Sequence, residues 1–580
     1  MNYIELTKKQ VEELIALAYS RAASRGELPV GAVLTGIVEI PKDAANGDYA
    51  ASHAMSGAKA LRLPPRRIAE ILLANLELSE SFFESAEIAG PGFLNFRLSP
   101  KWFGEVLCSI EAKGENYGHS DYLSGKKYMV EFVSANPTGP MHMGNARGGV
   151  LGDALAAVLQ RAGAQVWREF YVNDAGNQIE KFATSIDARY RQLILGEDAV
   201  EFPEDGYQGE DIKNLAKAFF DEHGDGFIDA DEAARHEAMS KFGLAQNLPK
   251  MRADLEKYKI FYDEWFFESA LHGSGYISET VQRLSELGFT YESDGALWLK
   301  TSGILAENLK KSGKSAEQIE KLELKDDVLR RANGIYTYFA ADIAYHRNKL
   351  EARGFDKVIN IWGADHHGHV ARIKGAMDAL GLDGEGRLDI VLMQLVRLTR
   401  DGEVVRMSKR TGKTISLSDL LDEIPVDAAR YFFNAKPETQ MEFDLSLAVR
   451  QDSENPVYYV KYAHARICTM LQNLAQEGLC APSAKDASLS LLSEEVELAL
   501  IKQLALLPEE IRLAARDYNP SRLNAYATEL AACFHRFYAA CRIKGAEENV
   551  AKARLFLCQC TRQTIKNALS IPGVSAPEAM

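Results

Sequence analysis

Cysteine is scarce: seven in 580 residues, with only Cys558 and Cys560 closely spaced. That supports neither a disulfide framework nor the paired spacings of a zinc site, and the thiols are expected to be buried in a reducing compartment. Long apolar runs are missing too, so no membrane span is expected. The first residues, MNYIELTKKQVEELIALAYSRA, show helical apolar spacing with acids and bases interleaved, unlike a secretory or transit leader. The expected location is the cytoplasm. Positive charge is also short. A formal net charge of −15 argues against a chain that coats nucleic acid by neutralising phosphates, while leaving room for a specific RNA partner. Residues 451–580 are roughly neutral, so the acidity lies in the rest.

The composition that remains is that of a globular protein, and the length exceeds what one hydrophobic core supports. Three units are expected. Residues 1–115 read as a small α+β domain: an N-terminal helix, short apolar runs such as LPVGAVLTGIVEI, and GPGFLNFRLSP as a turn entering a strand. Residues 116–450 alternate strand and helix in βαβ fashion, which implies a Rossmann-like parallel sheet. Charged, weakly patterned sequence at about 190–330 reads as an insertion into it. Residues 451–580 read as an α-helical bundle.

Two stretches carry chemistry. VEFVSANPTGPMHMGNARGG (130–149) runs from a buried strand through turn residues into a helix, the place where an open parallel sheet binds phosphate on a helix N-terminus. Gly144 permits close approach of a flat ring, and His142 and Asn145 are donors suited to phosphate oxygens. An ordinary capped helix start with a solvated histidine is the plain alternative. The second stretch, VVRMSKRTG, places Arg406, Lys409, Arg410 and Lys413 on a short loop with Ser408, Thr411 and Gly412. Such a loop can close over a triphosphate and hold departing pyrophosphate; a solvated basic loop is the alternative. In YTYFAADIAYH, Tyr338 and Asp342 share one helix face, with Tyr345 and His346 a turn further on. A lone carboxylate among rings suits a planar cation, although a structural ion pair would look the same. HHGHV (His366, His367, His369) lacks the companions of a transition-metal site.

HMGN (142–145) and RMSKR (406–410) resemble the His-Ile-Gly-His and Lys-Met-Ser-Lys-Ser signatures of class I aminoacyl-tRNA synthetases, in the right order around an insertion. EFVSANPTGPMHMGNARG, YVNDAGNQI, DEWFFES, DGALWL, YTYFAADIAYH, WGADHHGHV, NPVYYVKYAHARI and the terminal GVSAPEAM extend the resemblance to the arginyl-tRNA synthetase family over the whole chain. The resemblance implies ATP-dependent activation of L-arginine to an adenylate, then transfer to the terminal ribose of tRNA(Arg), with Mg2+ arriving on ATP. His142, Gly144, Asn145, Arg406, Met407, Ser408 and Lys409 would bind ATP, with His142, Asn145 and Lys409 catalytic; Arg406 stands where the family usually has lysine. Tyr338 and Asp342 would hold the guanidinium, Glu131 and Asn136 the α-amino and carboxylate end, and Asp365 the ribose or substrate. Tyr458, Tyr462 and Arg466 would meet anticodon bases, and Phe93 and Asn95 a nucleotide of the tRNA D-loop. Tyrosines packing a helical bundle, and Phe93 packing a strand core, are competing explanations. A monomer without an editing domain is expected. A synthetase for another amino acid and a non-catalytic tRNA-binding relative are the rival readings.

Overall fold

The computed structural model describes residues 2–405, 415–434 and 440–580. The helix Tyr3–Ser24 starts where the Asn2 side chain accepts from the Ile4 and Glu5 amides, the usual role of asparagine at an N-cap. It buries Val11, Ile15, Ala18 and Ala22, a four-three-four spacing that keeps one face apolar. That face covers the N-terminal unit, whose antiparallel sheet runs in the order Val38–Glu39, Tyr49–Ala51, Phe93–Leu98, Phe83–Ala89. LPVGAVLTGIVEI, read as short apolar runs, forms only the strand Val38–Glu39, and Val30, Val33 and Ile37 are largely exposed.

The central sheet has five parallel strands: β1 (Lys127–Glu131), β2 (Gln165–Val172), β3 (Glu264–Phe267), β4 (Lys357–Gly363) and β5 (Leu388–Met393), in the order β5-β4-β1-β2-β3. The order reverses between β1 and β4, which makes the carboxyl ends of those two strands the topological switch point where ligands bind. Helix α1 (Gly144–Arg161) follows β1 and is buried along most of its length. Gly152 lets it lie against the sheet, since a Cβ there would sit 2.2 Å from Phe132.

The stretch read as an insertion supplies β3, so it consists of two excursions. Helices Asn177–Leu195, Glu210–His223 and Glu232–Lys257 lie between β2 and β3; a three-stranded antiparallel sheet, Asp327–Arg330, Ala296–Leu299, Thr290–Ser293, follows β3. DEWFF hides in charge-rich sequence because an edge strand of four residues shows no periodicity. Helix α2 (Tyr338–Arg347) ends in a π-turn at Asn348–Ala352 instead of running on, and helix α3 (His367–Ala379) follows β4. LDIVLMQLVRL, expected as one strand, breaks at Gln394–Leu395, and Val396–Arg400 joins a separate small sheet with Glu403–Val404 and Met441–Asp444.

Beyond residue 450 every regular element is helical, including α4 (Pro456–Gln476), α5 (Arg522–Ala540) and α6 (Glu548–Ser570). Asp427 joins this bundle to the helices inserted in the central sheet: it accepts from Lys259 at 2.8 Å, Lys461 of α4 at 2.6 Å and Ser575. Burial pushes its carboxyl up, but these three donors outweigh burial and hold it well below the usual range. Cys108 and Cys480 are exposed, contrary to expectation, and the other five cysteines are buried. Among the described residues no helix is long and apolar enough to cross a membrane.

Candidate active site

The segment leaving β1 is strained. Val133 and Ser134 have φ of 69° and 41°, and a β-branched residue there is a backbone outlier of the kind that clusters at working sites. The twist lets the Ser134 hydroxyl donate to Glu131 (2.9 Å) and accept from the Tyr171 amide (3.1 Å). Further on, Asn247 of the inserted helices donates to the Pro137 carbonyl at 2.9 Å, so the insertion braces this loop.

At the start of α1 the Gly144 amide donates to His142 Nδ1 at 3.0 Å, and Asn145 Oδ1 accepts from the His142 amide at 3.0 Å. An accepting Nδ1 puts the neutral ring's proton on Nε2. His142 is exposed, so it offers that N–H outward at the positive end of the helix dipole. The flanks of the second motif come to the same place: Met143 donates to the Ile415 carbonyl at 3.2 Å and Leu417 to the Met141 carbonyl at 2.9 Å. Between them a cavity of about 400 Å³ is lined by His142, Met143, Leu395, Ile415 and Met441, among others. Arg406, Met407, Ser408 and Lys409, with Arg410, Thr411, Gly412 and Lys413, lie outside the described residues.

A continuous polar network underlies the other half of the switch point. Glu131 ends β1 opposite Asn360 of β4. Its Oε2 pairs with Lys349, which is wholly buried, while Oε1 accepts from Ser134. Lys349 also donates to Asn360 Oδ1 at 3.3 Å; Asn360 donates to His346 Nε2 at 2.7 Å, which leaves His346 Nδ1–H to donate to the Asp342 carbonyl at 2.8 Å. Burial first, then the Lys349 charge, pushes His346 down to about 3, so its ring stays neutral. The π-turn after α2 is what delivers Lys349 to Glu131. One sequence shows neither the turn nor the pair.

Asp342 sits above this network with Oδ2 accepting from His369 Nε2 at 2.9 Å and its side chain about a third exposed. Tyr338, a turn earlier and 47 % exposed, accepts from the Asn177 amide at 2.7 Å. Glu268, just past β3, is a second carboxylate that the sequence reading missed. It is buried and bonded to Tyr171 and His272; burial mainly, with the Asp342 charge adding, raises its carboxyl above the usual range. Asn136 and Asp365 are exposed, Asn136 in the loop after β1 and Asp365 just past β4. His366 and His367 are exposed as well, while the His369 ring packs against Phe339 and Trp362.

Away from the sheet, the Tyr458 and Tyr462 rings lie parallel on α4 with centroids 6.2 Å apart, and Arg466 stacks 4.2 Å from the Tyr538 ring of α5. With Tyr459 and His535 they enclose about 680 Å³. His535 and Tyr538 belong to a helix that the sequence reading did not connect with α4. In the N-terminal sheet Phe93 is half-buried at the strand's start, but Asn95 is only 3 % exposed, between Ala50 and Glu87. Phe93 and Asn95 occupy alternate positions of one strand face, where Asn95 is buried and Phe93 half-buried.

Comparisons with known proteins place the chain by sequence and fold. Residues 9–98 match the arginyl-tRNA synthetase N-terminal domain, 107–451 the catalytic domain of class I tRNA synthetases (R), and 460–580 the DALR anticodon binding domain. Arginine–tRNA ligase of Acetivibrio thermocellus is 50 % identical over 580 residues, covering 100 % of both chains. That of Ruminiclostridium cellulolyticum is 50 % identical over 574 residues, 99 % of each. Arginyl-tRNA synthetase of Thermus thermophilus shares the fold at a TM-score of 0.70 and 22 % identity, over 99 % of this chain and 100 % of that one. Matched in this way from end to end, the chain belongs to the arginyl-tRNA synthetase family, class I ligases that use ATP to join arginine to tRNA(Arg).

Proposed function

We propose that arginine is read at the switch point between β1 and β4, its guanidinium lying against the Asp342 carboxylate and the Tyr338 ring. The observation that carries this reading is Asp342 itself: a half-open carboxylate whose second oxygen and backbone are fixed by His369 and His346. Glu268 supplies a second carboxylate facing the same cation. Asn136 meets the α-amino and carboxylate end, and Glu131 shares its charge between Lys349 and the substrate ammonium. ATP lies over the His142–Asn145 turn in the neighbouring cavity, with His142 Nε2–H meeting phosphate. Arg406, Ser408 and Lys409 of the second motif bind the phosphates of ATP, and Asp365 stands near the ribose.

The arginine carboxylate attacks the α-phosphorus of ATP and pyrophosphate leaves; the terminal ribose hydroxyl of tRNA then attacks the adenylate carbonyl and AMP leaves. Neither step uses a protein nucleophile, so positioning and charge stabilisation do the catalysis. Mg2+ comes with ATP, held by phosphate and water; the described residues offer no cluster of three ligating side chains for a resident ion. Residues 451–580 take the anticodon on the Tyr458–Tyr462–Arg466 surface by stacking and charge. Residues 1–115 meet the D-loop through Phe93. The enzyme works as a monomer and without editing.

The test is arginine-dependent exchange of pyrophosphate into ATP, with and without tRNA(Arg), against Lys409→Ala. Exchange that requires both arginine and tRNA, and falls at least about a hundredfold in Lys409→Ala, is expected. Exchange equally fast without tRNA would show that activation does not wait for RNA, and an unaffected Lys409→Ala would remove that residue from the site.

A further inference from the structure

Helix Glu232–Lys257 belongs to the excursion between β2 and β3 but serves two cores. Its first half packs within the insertion, where Met239 is buried with Phe182 and Ile186. Gly243 allows the approach, since a Cβ there would sit 2.5 Å from the Phe182 ring. The second half enters the main core through Met251 and Leu255. Its end is tied down as well: Lys257 pairs with Asp422, and the Tyr258 and Lys259 carbonyls accept from the buried Arg430 at 2.9 and 3.2 Å. Asn247, 8 % exposed, lies between the two halves and donates to the Pro137 carbonyl.

In the loop after β1, Asn136 is exposed, whereas Pro137 and Thr138 beside it are buried. Among the described residues, the Asn247 amide makes the one hydrogen bond to the main chain of residues 135–140. A buried carbonyl is costly without a partner. That amide therefore decides where Pro137, and with it the neighbouring Asn136, comes to rest. The turn that follows is held by other means: Met141 and Met143 bond to Leu417 and Ile415, and His142 to Gly144 and Asn145.

We propose that Asn247 is a positioning residue for arginine: by holding the Pro137 carbonyl it aims Asn136 at the α-amino and carboxylate end of the substrate, which gives the inserted helix a part in the reaction. The proposal rests on Asn136 being that contact. Asn247 itself touches no substrate. Its effect is one of placement, and misplacing a substrate-holding group by about 1 Å can cost about a hundredfold. Because the His142 turn has its own anchors, loss of the Asn247 amide disturbs the arginine end of the loop and leaves the ATP end in place.

The test is a double-mutant cycle in the full-length enzyme, read by pyrophosphate exchange with saturating tRNA(Arg) and with arginine and ATP varied in turn. Asn247→Leu keeps the volume and removes the donor; its kcat/KM for arginine should fall about tenfold or more, chiefly through KM, while the ATP KM stays within about twofold. Asn136→Ala should show a loss of the same kind. The double variant should lie within about threefold of the worse single one, because Asn247 has nothing left to aim once the Asn136 amide is gone. Should leucine prevent folding, Asn247→Ala runs the same cycle. Losses that multiply in the double variant, an ATP KM that rises as much as the arginine KM, or a lowered urea midpoint with unchanged arginine kinetics would each overturn the proposal and leave Asn247 a structural residue. If Asn136→Ala alone leaves arginine kinetics unchanged, the reading of Asn136 has failed, and the proposal with it.

Discussion

Asp342→Asn is expected to raise the arginine KM and lower kcat/KM by at least about tenfold, with the ATP KM nearly unchanged. The substitution keeps shape and removes charge. A hydrogen bond to a charged partner contributes about 1.5–3 kcal/mol, roughly 10- to 150-fold. Glu268 still faces the cation, so the loss is graded rather than total. The asparagine must also present its oxygen to both His369 and the guanidinium, because its NH2 repels either donor. Steady-state kinetics with arginine as the varied substrate decide the matter, and unchanged arginine kinetics would remove Asp342 from the guanidinium site.

Lys349→Ala is expected to cost about 3–5 kcal/mol of stability, because it strands the buried Glu131 carboxylate. It also removes the donor to Asn360, which aligns His346 under Asp342, so surviving enzyme should bind arginine more weakly. Urea unfolding measures the first effect. The double variant Glu131→Gln/Lys349→Met should recover much of the stability, since no unpaired charge remains, while leaving arginine binding impaired. A Lys349→Ala protein as stable as wild type would mean that Glu131 is solvated or protonated rather than paired.

Much of this site was legible in the chain itself. The strand–turn–helix around His142 follows from β-rich VEFV, the turn residues and the helical spacing after Gly144, and Asp342 shares a face with Tyr338 as four-residue spacing dictates. The C-terminal helices and the parallel sheet likewise follow from periodicity. What stayed hidden depends on contacts between distant segments. Lys349 gives no sign of burial until a π-turn rotates it inward, and Glu268 follows a four-residue edge strand in charge-rich sequence, where no periodicity marks it. His535 and Tyr538 reach the Tyr462 surface through bundle packing. Asn95 shares a strand face with Phe93 as strand geometry requires, yet it is buried, which no single-strand pattern reveals.

The most direct measurement of the central claim, that a guanidinium is recognised by its charge at Asp342 and Glu268, compares L-arginine with L-citrulline in tRNA-dependent pyrophosphate exchange. Citrulline keeps the size and planarity of the side chain but replaces the cation with a neutral urea. A site built to pair a cation with the Asp342 and Glu268 carboxylates should prefer arginine by about 10⁴-fold or more in kcat/KM, without editing. Citrulline activated within about tenfold of arginine would contradict the account and place recognition in shape rather than charge.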